Sequence, residues 1–128
     1  MTFLGLLLVF KIGVTLIMAS IPMLMLPGER LMATLKIGAE ALPLARLYGV
    51  AITALLVGYA SGFAPAAAGI FPWGVVIMGI VSNGGVTITL VITGAWRRAV
   101  PAVAVFGSIA VALIGCALAP GAALVRAF

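Results

Sequence analysis

Four long apolar runs follow one another along the chain, separated by short stretches rich in proline, glycine or charged residues. The runs cover about residues 2–26, 44–63, 72–96 and 99–119. A helix that crosses a hydrocarbon core of about 30 Å needs roughly 20 apolar residues, because each residue adds about 1.5 Å. Lipid offers no hydrogen-bond partners to an open strand edge. The pattern therefore predicts an all-α polytopic membrane protein, a four-transmembrane-helix bundle of two hairpins within a single transmembrane domain.

The connection between the first two runs, residues 28–42, contains both acidic residues of the chain, Glu29 and Glu40. Leu31, Met32 and Leu35 would fall on one side of a short helix in this connection. Such an amphipathic helix would lie flat among the lipid headgroups. An irregular loop is the alternative, and both interpretations predict an interfacial connection.

Composition limits the class of protein further. The chain has 128 residues, of which 66% are hydrophobic and 7% charged, far from the balance of a water-soluble domain. The net charge of +5 arises from basic residues scattered at the ends of the runs, which favours interfacial anchors over nucleic-acid binding. Histidine is absent and Cys116 is the only cysteine, which excludes His-ligated haem or chlorophyll, a Cys/His zinc site and an intrachain disulfide.

The sequence also predicts how the chain threads the membrane. No basic side chain precedes Lys11, and the apolar run continues to Pro27, so a retained helix is expected in place of a cleaved signal peptide. Most basic residues border the first and third connections, and they are Arg30, Lys36, Arg46, Arg97 and Arg98. The positive-inside rule then predicts both connections in the cytoplasm and both termini in the periplasm of a bacterial inner membrane.

Lys11 lies inside the first apolar run and has two interpretations. In the first, the side chain snorkels back toward the headgroups from a depth of about 12 Å. In the second, the ammonium faces the protein interior and contacts an anionic headgroup, a quinone carbonyl or a partner's carboxylate. Glu29 is about 27 Å farther along the same helix, so it cannot pair with Lys11.

Asn83 lies near the middle of the third run, where a polar amide is costly unless it finds a partner. Gly79, Asn83 and Thr87 recur every four residues and form one polar stripe of small side chains. The stripe fits helix packing, with the amide hydrogen-bonded across the bundle. A ligand or ion site lined by Ser82 and Asn83 is the alternative.

Other small-residue repeats predict close helix packing. Gly49-x-x-x-Thr53 and Gly58-x-x-x-Gly62 lie on the second helix, and Ser108-x-x-x-Ala112-x-x-x-Cys116 lies on the fourth. Tyr48 and Tyr59 of the second helix fit packing residues with satisfied hydroxyls, or else ligand contacts. With Lys11, Ser82 and Asn83, they complete the set of candidate binding residues.

The stretch "LARLYGVAITALLVGY" is preceded by a proline and followed by two further apolar helices, with "SNGG" in the third run. In these features the chain resembles the DoxX-like group of small bacterial four-helix membrane proteins. Some members of that group look like membrane partners of quinone-linked oxidoreductases. The resemblance implies the fold class and an association with membrane complexes, and it assigns no catalytic residue.

Two functions are expected from these observations. The chain has anchors, packing stripes and lipid-facing surface, but no paired carboxylates, Ser/His arrangement or phosphate loop. This favours a non-enzymatic accessory or stabilising subunit of a larger energy-transducing complex, respiratory or photosynthetic, with membrane lipids and other integral subunits as partners and with no metal or required cofactor. The alternative is a small carrier or binder of a lipophilic molecule, such as a quinone, pigment or lipid.

Overall fold

A computed structural model describes residues 1–127 and is almost entirely helical. Within that range the only β feature is an isolated bridge between Thr2 and Arg126. The α-helices are α1 (Phe3–Thr15), α2 (Ile21–Met25), α3 (Gly28–Leu35), α4 (Leu42–Ala60), α5 (Phe63–Ala67), α6 (Trp73–Ile92), α7 (Val100–Leu118) and α8 (Pro120–Ala123). A π-helical turn, Leu16–Ser20, joins α1 to α2, and 3₁₀ turns occupy Ala39–Ala41 and Ala95–Arg97. The all-α class is confirmed.

Four helical segments are long and apolar enough to cross a membrane. They are Phe3–Met25, Ala39–Ala67, Trp73–Ile92 and Val100–Leu118. Each overlaps one of the apolar runs, so the sequence located the candidate spans correctly. The chain therefore has the length and composition of a membrane-spanning protein with four crossings.

The ends of two spans differ from those predicted. The third helix was expected to reach residue 96 but ends at Ile92, because Gly94 adopts a left-handed conformation (φ 72°) that stops it. The second was expected over 44–63, whereas α4 covers Leu42–Ala60 and a turn separates it from α5. The first and fourth segments agree within one residue at each end.

The connection between the first two spans contains the predicted short helix, α3, and not an irregular loop. Leu31 is fully buried, whereas Glu29 and Arg30 are exposed, as expected of an amphipathic helix. The helix ends at Leu35, and its C-cap residue Lys36 has a left-handed backbone conformation (φ 55°, ψ 47°). This conformation is unfavourable for a residue with a Cβ atom.

We expect Lys36→Gly to raise the thermal midpoint of the purified protein. Glycine adopts the left-handed C-cap conformation without the steric cost of about 1–2 kcal/mol that a side chain brings. Lys36→Ala removes the charge but keeps the Cβ atom, so it should give no such increase. Thermal unfolding of both variants in one detergent measures the difference, and an equal gain from alanine would assign the effect to charge.

One compact unit, Val9–Ala60, contains an antiparallel helical hairpin. Lys11 contacts Tyr59, Ser20 contacts Thr53, and Arg46 contacts Met23. In these three pairs, a higher residue number in the first helix goes with a lower residue number in the second. The two helices therefore run antiparallel. Three polar contacts spread over its length therefore hold this hairpin in register.

The second compact unit consists of Met1–Leu8 and the chain from Ser61 onward. Its main feature is the hairpin of α6 and α7, in which Gly107 lies opposite Thr87 at ordinary packing distance. Ile109 and Leu113 of α7 are buried. The backbone N–H of Phe3 donates to the carbonyl of Val125, which ties the start of the chain to the segment after α8.

Candidate functional site

Lys11 is held inside the first hairpin and is only 5% exposed. Its Nζ donates to Thr15 Oγ1 at 3.1 Å and lies 4.5 Å from the centre of the Tyr59 ring. Tyr59 is fully buried, and Thr15 is 3% exposed. A hydroxyl and the negative face of an aromatic ring both stabilise a cation away from water. We call Lys11, Thr15 and Tyr59 the lysine cluster.

The direction of the Lys11 side chain differs from the snorkelling interpretation. Thr15 lies one helical turn farther from the N-terminus, about 6 Å along the axis. A snorkelling lysine would extend toward the nearer end of the helix, and Cβ atoms already tilt that way. The ammonium instead extends deeper into the span, because the hydroxyl and the ring offer it partners there.

Tyr48 does not join the lysine cluster. It is 49% exposed and lies eleven residues before Tyr59 on α4, which corresponds to about 16 Å along the helix. Of the two tyrosines proposed as binding residues, the hairpin therefore brings only Tyr59 to Lys11. Tyr48 is available to lipid or to another protein.

Sequence reasoning missed a second polar contact in this hairpin, between the hydroxyls of Ser20 and Thr53. Thr53 Oγ1 also donates to the carbonyl of Gly49 at 2.8 Å. Ser20 is the last residue of the π-helical turn. Pro22 follows the wide turn and explains it, because a proline ring cannot be accommodated against the carbonyl four residues earlier in a regular helix. Pro22 was therefore the feature of the sequence that could have indicated the wide turn at Ser20.

Arg46 was expected only as a topology marker, but it caps the end of the first span. Its two terminal nitrogens donate to the carbonyls of Met23 at 2.6 Å and Leu26 at 2.5 Å. The last carbonyls of a helix lack partners within it, and a cation there is also favoured by the helix dipole. The planar guanidinium presents one nitrogen to each carbonyl in a fixed fork.

Ser82 and Asn83 belong to the other compact unit. Asn83 is 1% exposed, and its Nδ2 donates to the carbonyl of Gly79 at 2.6 Å. Thr87 Oγ1 donates to the carbonyl of Asn83 at 2.9 Å. These two bonds run along α6, one turn at a time. The expected bond of the Asn83 amide across to another helix stays a prediction. Serine, threonine and asparagine side chains commonly bond back to the preceding turn in this way.

We expect Asn83→Leu to change stability by less than about 1 kcal/mol. The Gly79 carbonyl keeps its regular helical bond when the amide is lost, leucine has the same branched arrangement of side-chain heavy atoms, and a polar side-chain contact inside a membrane protein contributes on average only about 0.6 kcal/mol. Unfolding in mixed micelles of detergent and SDS measures the change, with Asn83→Ala as the control that leaves a void. A loss of several kcal/mol in the leucine variant would show that the amide bonds beyond its own helix.

The small residues of α7 do not all face the same way. Cys116 is buried, whereas Ser108 and Gly115 are exposed. The predicted stripe through Ser108, Ala112 and Cys116 therefore crosses from the outer to the inner face of the helix. The exposed side carries a different column: Ala104, Ser108, Val111, Gly115 and Leu118. We call this column the outer face of α7.

The chemistry available to these residues is limited. Within the described residues no group of three or more His, Cys, Asp or Glu side chains could hold a metal ion. In the same part of the chain, every buried side-chain nitrogen or oxygen has a hydrogen-bond partner. The buried polar side chains of the described spans are thus hydrogen-bonded within the protein itself.

The fold and these contacts define a class: a helical membrane-spanning protein with a buried lysine in its first hairpin. Comparisons of the chain with protein-family models, with curated proteins and with solved structures found no match in any of the three.

Proposed function

We propose that this chain is a non-catalytic, stabilising subunit of a larger membrane complex, and that other integral subunits pack against the outer face of α7. The single observation that carries the proposal is the column of small residues, Ala104, Ser108 and Gly115, exposed on one side of a span. Small side chains let two helix backbones approach closely, which is how helices associate where lipid removes the hydrophobic driving force.

Gly115 makes this proposal testable. A Cβ atom added at Gly115 meets nothing within 4 Å in the chain itself. A larger side chain there leaves the internal packing intact and blocks only what approaches from outside. Gly85 on α6 is exposed and equally open, and it provides a matched control.

The experiment is gentle detergent extraction, size analysis and mass spectrometry of the wild type, Gly115→Leu and Gly85→Leu. We expect defined integral proteins to co-purify with the wild type and with Gly85→Leu, and to be lost from Gly115→Leu while its helicity stays unchanged. A wild-type chain that migrates alone, or a Gly115→Leu variant that keeps its companions, would contradict the proposal.

The kind of complex, the type of membrane and the orientation of the termini belong to the same proposal. The resemblance to DoxX-like proteins supports an energy-transducing complex, respiratory or photosynthetic. The basic residues that flank the first and third connections support a bacterial inner membrane with both termini in the periplasm. Reporter fusions at each terminus and within residues 36–38 test this threading, and a cytoplasmic terminus would contradict it.

The lysine cluster favours a second candidate, a binder of a lipophilic molecule such as a quinone, pigment or lipid. A buried ammonium beside a hydroxyl is suited to a carbonyl or an anionic oxygen. Extraction of the purified protein with organic solvent, followed by mass spectrometry, tests this function. A stoichiometric lipophile present in the wild type and absent from Lys11→Met would support it, and equal contents in both would exclude it.

A further inference from the structure

We propose that the connection between α6 and α7 binds the phosphate of an anionic phospholipid through Arg97 and Arg98. The chain leaves α6 at Ile92, turns through the left-handed Gly94 and forms the 3₁₀ turn Ala95–Arg97. Both arginines are exposed in this connection. Two adjacent, permanently charged guanidinium groups are thus presented at the end of a membrane span.

The charge balance of this compact unit points to an external anion. The unit comprises Met1–Leu8 and the chain from Ser61 onward, and it includes the arginine pair. The only acidic residues of the chain, Glu29 and Glu40, lie in the other unit. Because no acidic side chain of the same unit can offset the two neighbouring charges, an anion from the surroundings would relieve their repulsion.

Trp96 indicates the depth at which that anion is found. The residue is 42% exposed, and tryptophan side chains of membrane proteins concentrate at the headgroup level. The guanidinium of Arg97 lies 5.7 Å from the Trp96 ring centre, within the range of a cation–π contact. This contact orders the arginine at the level of the phosphates. A planar guanidinium donates two parallel bonds to a phosphate, which gives the site geometry as well as charge.

The ligand class follows from the charges. Phosphatidylcholine carries a choline cation beside its phosphate, and this cation is repelled by two arginines. Phosphatidylglycerol has the phosphate without the cation. The site should therefore prefer an anionic over a zwitterionic phospholipid by roughly 25-fold, since each of the two arginines near the membrane surface contributes about a factor of five.

Native mass spectrometry tests this site. The protein is reconstituted in nanodiscs of equal parts phosphatidylglycerol and phosphatidylcholine, and the lipids retained on its release are counted. We expect the wild type to retain phosphatidylglycerol with the stated preference and Arg97→Gln/Arg98→Gln to retain both lipids equally. Arg126→Gln removes one charge from the same unit at a distant position in the chain, and it should keep the wild-type preference.

A second variant and a free-phosphate measurement complete this experiment. Arg97→Lys/Arg98→Lys keeps the charge and loses the forked geometry, so it should retain part of the preference even if the glutamine pair fails to fold. Free inorganic phosphate added to protein in phosphatidylcholine nanodiscs should neither bind nor stabilise. An unchanged preference in the folded glutamine pair, no weakening in the lysine pair, or phosphate binding as strong as lipid binding would each overturn the proposal. None of these results depends on whether a protein partner co-purifies.

Discussion

Tyr59→Leu is expected to destabilise the protein by about 2–4 kcal/mol. The substitution removes the ring that faces the Lys11 ammonium at 4.5 Å, and a desolvated cation–π contact contributes about 2 kcal/mol or more. It also leaves a buried cation with less compensation in an apolar setting, which adds to the loss. Unfolding in mixed micelles of detergent and SDS measures the free energy.

A double-mutant cycle isolates the interaction. In a Lys11→Met background the cation is absent, so the cost of Tyr59→Leu should fall by the cation–π contribution of about 2 kcal/mol. Tyr59→Phe keeps the ring and should lose no more than about 1.5 kcal/mol, the typical net contribution of one hydrogen bond. If Tyr59→Leu costs the same with and without Lys11, the two side chains are not coupled and the lysine cluster has no energetic role.

Gly49→Ala and Gly115→Ala are expected to act in opposite directions. A Cβ atom at Gly49 would lie 2.8 Å from Met23 Cβ and 3.1 Å from Leu24 Cδ2, closer than packed carbon atoms allow. Forcing the hairpin apart at this point costs about 1–3 kcal/mol. At Gly115 nothing lies within 4 Å, so alanine should be neutral or stabilise the helix by up to about 1 kcal/mol.

The same unfolding assay compares the two glycines. Gly49→Ser serves as a second small substitution and should destabilise by a similar amount, because the crowding arises at the Cβ atom itself. Equal effects at Gly49 and Gly115 would mean that intrinsic helix propensity, and not the approach of Met23 and Leu24, determines the result.

The spans were predictable because a membrane crossing requires a long apolar segment, and such a segment is visible directly in the sequence. Their ends were less predictable where the apolar run continued past the helix. Ile92, Thr93 and Trp96 fit a longer third helix, and only the backbone conformation of Gly94 shows where it stops. Gly94 is one of 16 glycines in the sequence, and nothing in the sequence distinguishes it from the others.

The candidate site was predicted in part. Lys11 and Tyr59 were both named as candidate binding residues, but their contact joins residues 48 positions apart and depends on the register of the hairpin. Tyr48 has the same chemistry as Tyr59 and was grouped with it, although it lies about three turns away. Side-chain chemistry thus identifies candidates, whereas the partner helix decides which of them meet.

Arg46 shows why some contacts escape sequence reasoning. Its position among the basic residues of the first connection suggested only an orientation signal. Its partners are the backbone carbonyls of Met23 and Leu26. Because every residue has a backbone carbonyl, the sequence does not indicate which of them an arginine will contact. The bonds of Asn83 to its own helix were missed for the same reason.

Site-specific photo-cross-linking in native membranes tests whether the outer face of α7 packs against other integral subunits. A photoreactive residue at Ser108 probes this face, and one at Val57 probes an exposed position on α4. The account predicts a discrete protein adduct from position 108 and lipid adducts alone from position 57. Lipid adducts alone from position 108 would contradict it.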